Sequence, residues 1–161
     1  APKVTLLDAS TGTSIKTLKS NDEIPTELSN KNTTLPEFFT FETVDKQQLN
    51  GYIIKPNKFR KRKKHPVLVY VYGGPGIQTV KNEWSSFNYL WFQHLASLGY
   101  IVVSIDGRGT GGRGAEFKKQ TYGDLGGKET EDMIALAKYL GEQNILTKLE
   151  LEFGGGALVV I

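Results

Sequence analysis

The chain contains no cysteine, one methionine and only two histidines, and these shortages remove several chemistries at once. Without thiols there are no disulfides, no thiolate metal ligands and no cysteine nucleophile. The same lack leaves the compartment open, because exported proteins also do without cysteine. No apolar run approaches the roughly 18 residues that a membrane-spanning helix needs, so no membrane span is expected. The start, Ala1-Pro-Lys-Val-Thr, lacks the charged-then-apolar pattern of a signal peptide. That places any export signal outside these residues. His65 and His94 stand alone, with no His/Asp/Glu cluster at ligand spacing, so neither a metal nor a cofactor is expected. The Gly-x-Ser-x-Gly turn that displays a serine nucleophile is missing as well.

What remains is an ordinary globular composition, 39% hydrophobic and 23% charged, on a chain whose 161 residues suit one modest domain. A net charge of +3 selects no partner. The basic run Phe59-Arg-Lys-Arg-Lys-Lys-His65 invites a nucleic-acid reading, but no aromatic or base-reading residues interleave with it. A solvated loop is the expectation, with no nucleic-acid partner.

Hydrophobic patterning divides the chain. Val4–Leu7 and Thr13–Leu18 alternate on either side of a glycine-closed turn, which predicts a β-hairpin. Such a hairpin is marginal in isolation and calls for a neighbouring sheet. Residues 20–35 are polar and turn-rich and read as a connector. Phe38–Val44 and Leu49–Lys55 read as paired strands, and Pro66–Tyr72 and Tyr100–Asp106 as strands apolar on both faces. Phe87–Leu98 and Lys128–Gln143 have helical spacing, the first stopped by Gly99. In the second, Met133, Ile134, Leu136, Ala137 and Leu140 form the apolar face. His94 falls near the apolar side of the first helix. Strand and helix in alternation predict an α/β sheet.

Three glycine-rich segments are candidates for chemistry. Gly107-Arg-Gly-Thr-Gly-Gly112 has the GxGxxG spacing of a dinucleotide loop and follows a strand. The helix that should receive the phosphates does not follow, and Arg108 and Arg113 sit where small residues belong. A glycine-rich loop is therefore expected, with nucleotide binding the lesser alternative. Phe153-Gly-Gly-Gly-Ala157 resembles a strand running into a tight turn, with glycine wherever a nucleophilic hydroxyl would sit. Tyr72-Gly-Gly-Pro-Gly76 ends a buried strand with a phenol and a sharp turn. A donor so placed can lie about 3 Å from a developing negative charge.

Four marks, Leu49–Pro56, Val69–Gly76, Ile105–Gly109 and Tyr122–Gly127 with Glu131-Asp132, occur together in this order. With them the chain resembles dipeptidyl peptidase IV-like members of the prolyl oligopeptidase family of serine peptidases, over residues 35 to about 145. The resemblance implies the N-terminal half of an α/β-hydrolase sheet (residues 35–161). Before it, residues 1–34 would carry a hairpin left from a β-propeller. It implies an oxyanion-stabilising role for Tyr72 and a loop-organising role for Asp106 and Arg108. The parent enzyme would release X-Pro dipeptides from peptide N-termini and would be exported, periplasmic or at the cell surface.

The resemblance lapses after Gln143. If Phe153–Ala157 is laid on the nucleophile turn, the serine position falls on Gly156, and Glu150 and Glu152 fall on a strand that should be central and buried. Unpaired carboxylates there would cost several kcal/mol. The family's catalytic Asp and His have no counterpart. The expectation is a truncated, inactive fragment whose tail from about residue 146 is foreign. Its exposed sheet edge and the apolar run Ala157–Ile161 favour self-association, which leaves a noncatalytic interaction module as the alternative.

Overall fold

A strand apolar at every position must be covered on both faces. In the computed structural model, which describes residues 2–31, 33–60, 63–84, 86–143, 152–154 and 158–160, two such strands form the centre of the fold. They are β5 (Val67–Tyr70) and β6 (Ile101–Asp106), paired in parallel from Val67↔Ile101 to Tyr70↔Ser104. The connection between them is α2 (Ser86–Ser97), the crossover that parallel pairing requires. β4 (Gln48–Ile54) lies antiparallel on the far side of β6, and β3 (Glu37–Glu42) pairs with β4 to form one edge.

Alternation along the strands divides the core in two. Leu49, Ile53, Val67, Val69, Ile101, Val103 and Ile105 face α4 (Gly127–Glu142), which contributes Leu136 and Leu140. Tyr52, Ile54, Leu68 and Val102 face α2 through Phe92, Leu95 and Ala96. Gly51 interrupts β4 because the Phe39 ring lies over it; a Cβ there would stand 2.5 Å from that ring. Phe39 and Phe41 in turn stack on Tyr139 of α4. This is a mixed α/β sheet with a helix packed on each face, as the patterning predicted.

The hairpin of β1 (Val4–Leu7) and β2 (Ser14–Lys19) forms as expected and makes a separate two-stranded sheet. Its turn is closed by the Asp8 carboxylate, which accepts from the amides and hydroxyls of Ser10 and Thr11. Those four bonds hold the Asp8 pKa down at about 2.

Several local expectations need correction. The connector contains a helix, α1 (Glu23–Asn30), because Pro25 sits in its first turn, where a missing N–H costs nothing. A six-residue helix, α3 (Gly114–Lys119), follows the glycine loop. Ile134 is half exposed rather than part of the α4 face, and the buried position beside it belongs to Asp132. His94 is exposed on α2 and lies beside Trp91. His65 is not solvated: its ring is buried against Phe59, and its Nδ1 donates to the Gly99 carbonyl at 3.1 Å. Arg60, Lys63 and Lys64 are exposed, as a solvated loop requires, while Lys61 and Arg62 lie outside the described residues.

The tail does not run as a central strand into a nucleophile turn. β7 (Glu152–Gly154) and β8 (Leu158–Val160) pair antiparallel, β8 also pairs antiparallel with β5, and β7 ends the sheet. β7, which carries Glu152, is thus an edge strand of the sheet rather than a central one. Leu146–Leu151, including Glu150, and Gly155, Gly156, Ala157 and Ile161 lie outside the described residues.

Candidate active site

In a sheet with parallel strands, chemistry collects beyond their C-terminal ends. Here that edge carries Tyr72 after β5, and Asp106 and Arg108 at the end of β6. Tyr72 is 53% exposed and its phenol has no partner among the described residues. The chain folds back beneath the ring, so that a Cβ at Gly74 would meet it at 2.5 Å. Gly73 and Gly76 take the positive φ values that this reversal needs. The Gly76 amide donates to the Gly109 carbonyl at 2.9 Å, tying the Tyr72 turn to the glycine loop after β6. Beside the tyrosine opens a cavity of about 200 Å³, walled in part by Tyr52, Tyr70, Ile77, Asn88 and Phe92.

A chain of buried polar groups supports this edge. Asp106 Oδ1 accepts from the amides of Thr79 (2.7 Å) and Val80 (3.2 Å) and from the Thr79 hydroxyl (3.2 Å). Thr79 Oγ1 also meets Ser104 Oγ at 2.8 Å, and the Ser104 hydroxyl donates to the Tyr70 carbonyl. Burial pushes the neighbouring Tyr52 phenol well up, and the Asp106 charge adds to the shift. The phenol therefore remains protonated across the neutral range.

Arg108, 2% exposed, is the second organiser. Its Nε and Nη2 donate to Asp132 Oδ1 at 2.9 and 2.7 Å, and its own amide donates to Asp132 Oδ2 at 2.6 Å. Nη1 reaches Asp45 Oδ2 in the β3–β4 turn, and Nη2 reaches Glu131. Burial opposes the guanidinium charge, but the bonds and charges of Asp132 and then Asp45 outweigh it and raise the pKa. The Asp45 carboxyl is held low by the Thr43 hydroxyl and by Arg108. Glu131 is held low by Lys128, with Arg108 adding. One guanidinium thus joins three segments distant in sequence.

The glycine loop has its own explanation. A Cβ at Gly107 would approach Asp132 Oδ2 to 3.0 Å, one at Gly109 would overlap Thr121, and one at Gly111 would meet the Gly76 carbonyl at 2.9 Å. The space these glycines leave is filled by the chain itself.

The structure thus brings Tyr72, Asp106, Arg108 and Asp132 to one edge, and it keeps both histidines away. His65 precedes β5 at the opposite end of the sheet, and His94 lies in the last turn of α2, which runs back toward that end. No group of three or more candidate ligands that could hold a metal ion occurs among the described residues. Among those residues, no helix is long and apolar enough to cross a membrane. Sequence reasoning missed Thr79, Ser104 and Asp45, which are ordinary polar residues whose partners lie 25 or more positions away.

Comparison with known proteins finds relatives of this chain. The profile of the prolyl oligopeptidase family matches residues 85–156. The chain is 38% identical to mouse (Mus musculus) dipeptidyl peptidase 8 over 110 residues, covering 68% of this chain and 12% of that protein. It is 37% identical to a probable dipeptidyl-aminopeptidase B of Trichophyton verrucosum over 142 residues, 88% of this chain and 15% of that one. Among solved structures it is similar to Porphyromonas gingivalis dipeptidyl peptidase 4, with a TM-score of 0.80 and 35% identity, covering 89% of this chain and 20% of that one. The chain therefore spans about an eighth of the length of the curated relatives it matches.

Proposed function

The chain belongs to the prolyl oligopeptidase family and resembles its dipeptidyl peptidases, and from that premise we propose that it is the N-terminal part of the hydrolase domain of a serine exopeptidase. The parent enzyme releases dipeptides with proline in second place from peptide N-termini. Tyr72 donates a hydrogen bond from its phenol to the oxyanion that forms when a serine attacks the scissile carbonyl. One observation carries the reading: an unpartnered phenol at the C-terminal end of β5, on a glycine turn bonded to the loop after β6. The hairpin β1–β2 is read as the close of a preceding propeller, which accords with its standing as a separate sheet.

This 161-residue chain does not catalyse the reaction itself. It contains no Gly-x-Ser-x-Gly, and its histidines lie toward the other end of the sheet from Tyr72. Purified chain is expected to leave an X-Pro p-nitroanilide intact. Hydrolysis that disappears in Tyr72→Phe would overturn the inactivity. Sequencing the source gene beyond codon 146 tests the parent, and a Gly-x-Ser-x-Gly there is the expected result.

Self-association is the second reading. β3 is an edge strand, and its Phe38 is half exposed, so the sheet offers backbone and apolar surface together. Sizing chromatography over a hundredfold concentration range tests it, and a monomer throughout would remove it.

A further inference from the structure

Tyr72 lies two residues past the end of β5, and a phenol in that position is useful only if its loop is held still. The Gly-Gly-Pro-Gly turn is pinned at its last residue, where Gly76 donates to Gly109. The far arm of the loop is pinned at Thr79 and Val80, and one oxygen does it. Asp106 Oδ1 accepts three bonds from these two residues, two from amides and one from the Thr79 hydroxyl. The carboxylate is itself fixed. It is 3% exposed and ends β6, where Asp106 pairs with Asn50 in the middle of the sheet. Because the Ser104 hydroxyl donates to the Tyr70 carbonyl at the root of the same loop, the single Thr79 hydroxyl proton is shared between Ser104 Oγ at 2.8 Å and Asp106 Oδ1 at 3.2 Å. The loop thus starts at β5, is bound to the glycine loop halfway, and ends on the tip of β6.

We propose that Asp106 is a positioning residue for Tyr72: its carboxylate clamps residues 79–80 and so fixes where the phenol points. The inference rests on the oxyanion reading of Tyr72 for its purpose, but not for its test. An ionised acceptor is suited to the task, because charge-assisted bonds to backbone N–H groups are shorter and stronger than neutral ones. Three donors converging on one oxygen also fix the loop in translation and rotation together. A single neutral bond would not.

The test reads the position of Tyr72 without turnover. 3-Fluorotyrosine is placed at residue 72 of the full 161-residue chain, and ¹⁹F NMR is recorded for the wild type, Asp106→Asn, Asp106→Leu and Thr79→Val. Hydrogen exchange of α4 serves as the fold control. The expected result is one narrow resonance in the wild type and a largely preserved one in Asp106→Asn, which keeps an acceptor oxygen. Asp106→Leu should give a shifted or multiple resonance, with exchange of residues 73–80 at least tenfold faster and α4 unchanged. Thr79→Val leaves β6 intact and should give an intermediate spectrum, so it decides the matter if Asp106→Leu does not fold. A wild-type resonance in Asp106→Leu, or in Thr79→Val where that variant decides, overturns the proposal. So does uniform loosening of α4 and the loop together in whichever variant decides. In the complete gene product, loss of clamping without loss of turnover would count against the oxyanion reading of Tyr72 and leave the clamp standing.

Discussion

Replacing Arg108 by methionine should be among the most damaging single changes to this chain. The substitution keeps an unbranched side chain of similar reach and removes the guanidinium. Asp132, fully buried, then loses two of its three hydrogen bonds and its only counter-ion among the described residues, retaining the amide of residue 108. Breaking a buried pair from one side costs about 3–5 kcal/mol, because the remaining charge is left uncompensated. The retained amide bond argues for the lower end, ~3 kcal/mol. Asp45 and Glu131 are about half exposed and regain water, so they add little. Against a typical total of about 5–15 kcal/mol the loss is large. With a urea slope of about 2 kcal/mol/M, the midpoint should fall by roughly 1.5 M. Urea denaturation followed by circular dichroism measures this. Arg108→Met combined with Asp132→Asn should recover at least half of the loss, since the stranded charge goes with its partner. A midpoint shift under about 0.3 M for Arg108→Met, or no recovery in the double variant, would refute the reasoning.

Two further predictions concern backbone space and acid. Gly51→Ala should destabilise by about 1–3 kcal/mol through overpacking, since its Cβ would stand 2.5 Å from the Phe39 ring. Gly141→Ala, in α4 with nothing within 4 Å of its Cβ, should instead stabilise by about 0.5–1 kcal/mol; thermal melts of the two variants should move in opposite directions. Asp8 has its folded pKa lowered to about 2 from 3.8, so its contribution to the hairpin is complete above the unfolded value and fades as pH falls through about 2. Amide shifts of Ser10 and Thr11 should titrate with a midpoint near 2, and Asp8→Asn should abolish that titration. A midpoint near 4 would show that the turn does not hold the carboxylate.

What the sequence disclosed is what local pattern encodes. β-Branched runs marked the central strands, 3.6-residue spacing marked α2 and α4, and a glycine-closed turn marked the β1–β2 hairpin. Asp106 and Arg108 were legible as organisers only through the family resemblance, and the structure gives both of them charged or polar partners. The partners themselves were not legible. Thr79 and Asp106 lie 27 positions apart, and Arg108 and Asp45 lie 63 apart, and nothing in either neighbourhood announces the other. α1 was hidden because a polar eight-residue segment containing proline satisfies a turn pattern equally well. The same ambiguity affected Ile134 and Asp132, where helical periodicity chose the apolar residue and the buried charge won through Arg108. The tail misled differently. Strands do form at Glu152–Gly154 and Leu158–Val160, but they pair antiparallel at the sheet edge, and pairing is a tertiary choice.

The proposed function requires that Tyr72 stabilise an oxyanion. The direct measurement is steady-state hydrolysis of an X-Pro p-nitroanilide by the complete gene product and by its Tyr72→Phe variant. Tyr72 is half exposed and makes no hydrogen bond among the described residues, so the change should leave stability within about 0.5 kcal/mol. Loss of one oxyanion donor should lower kcat by about 10²–10³-fold with KM little altered. Unchanged kcat, or a loss carried entirely by KM, would contradict it.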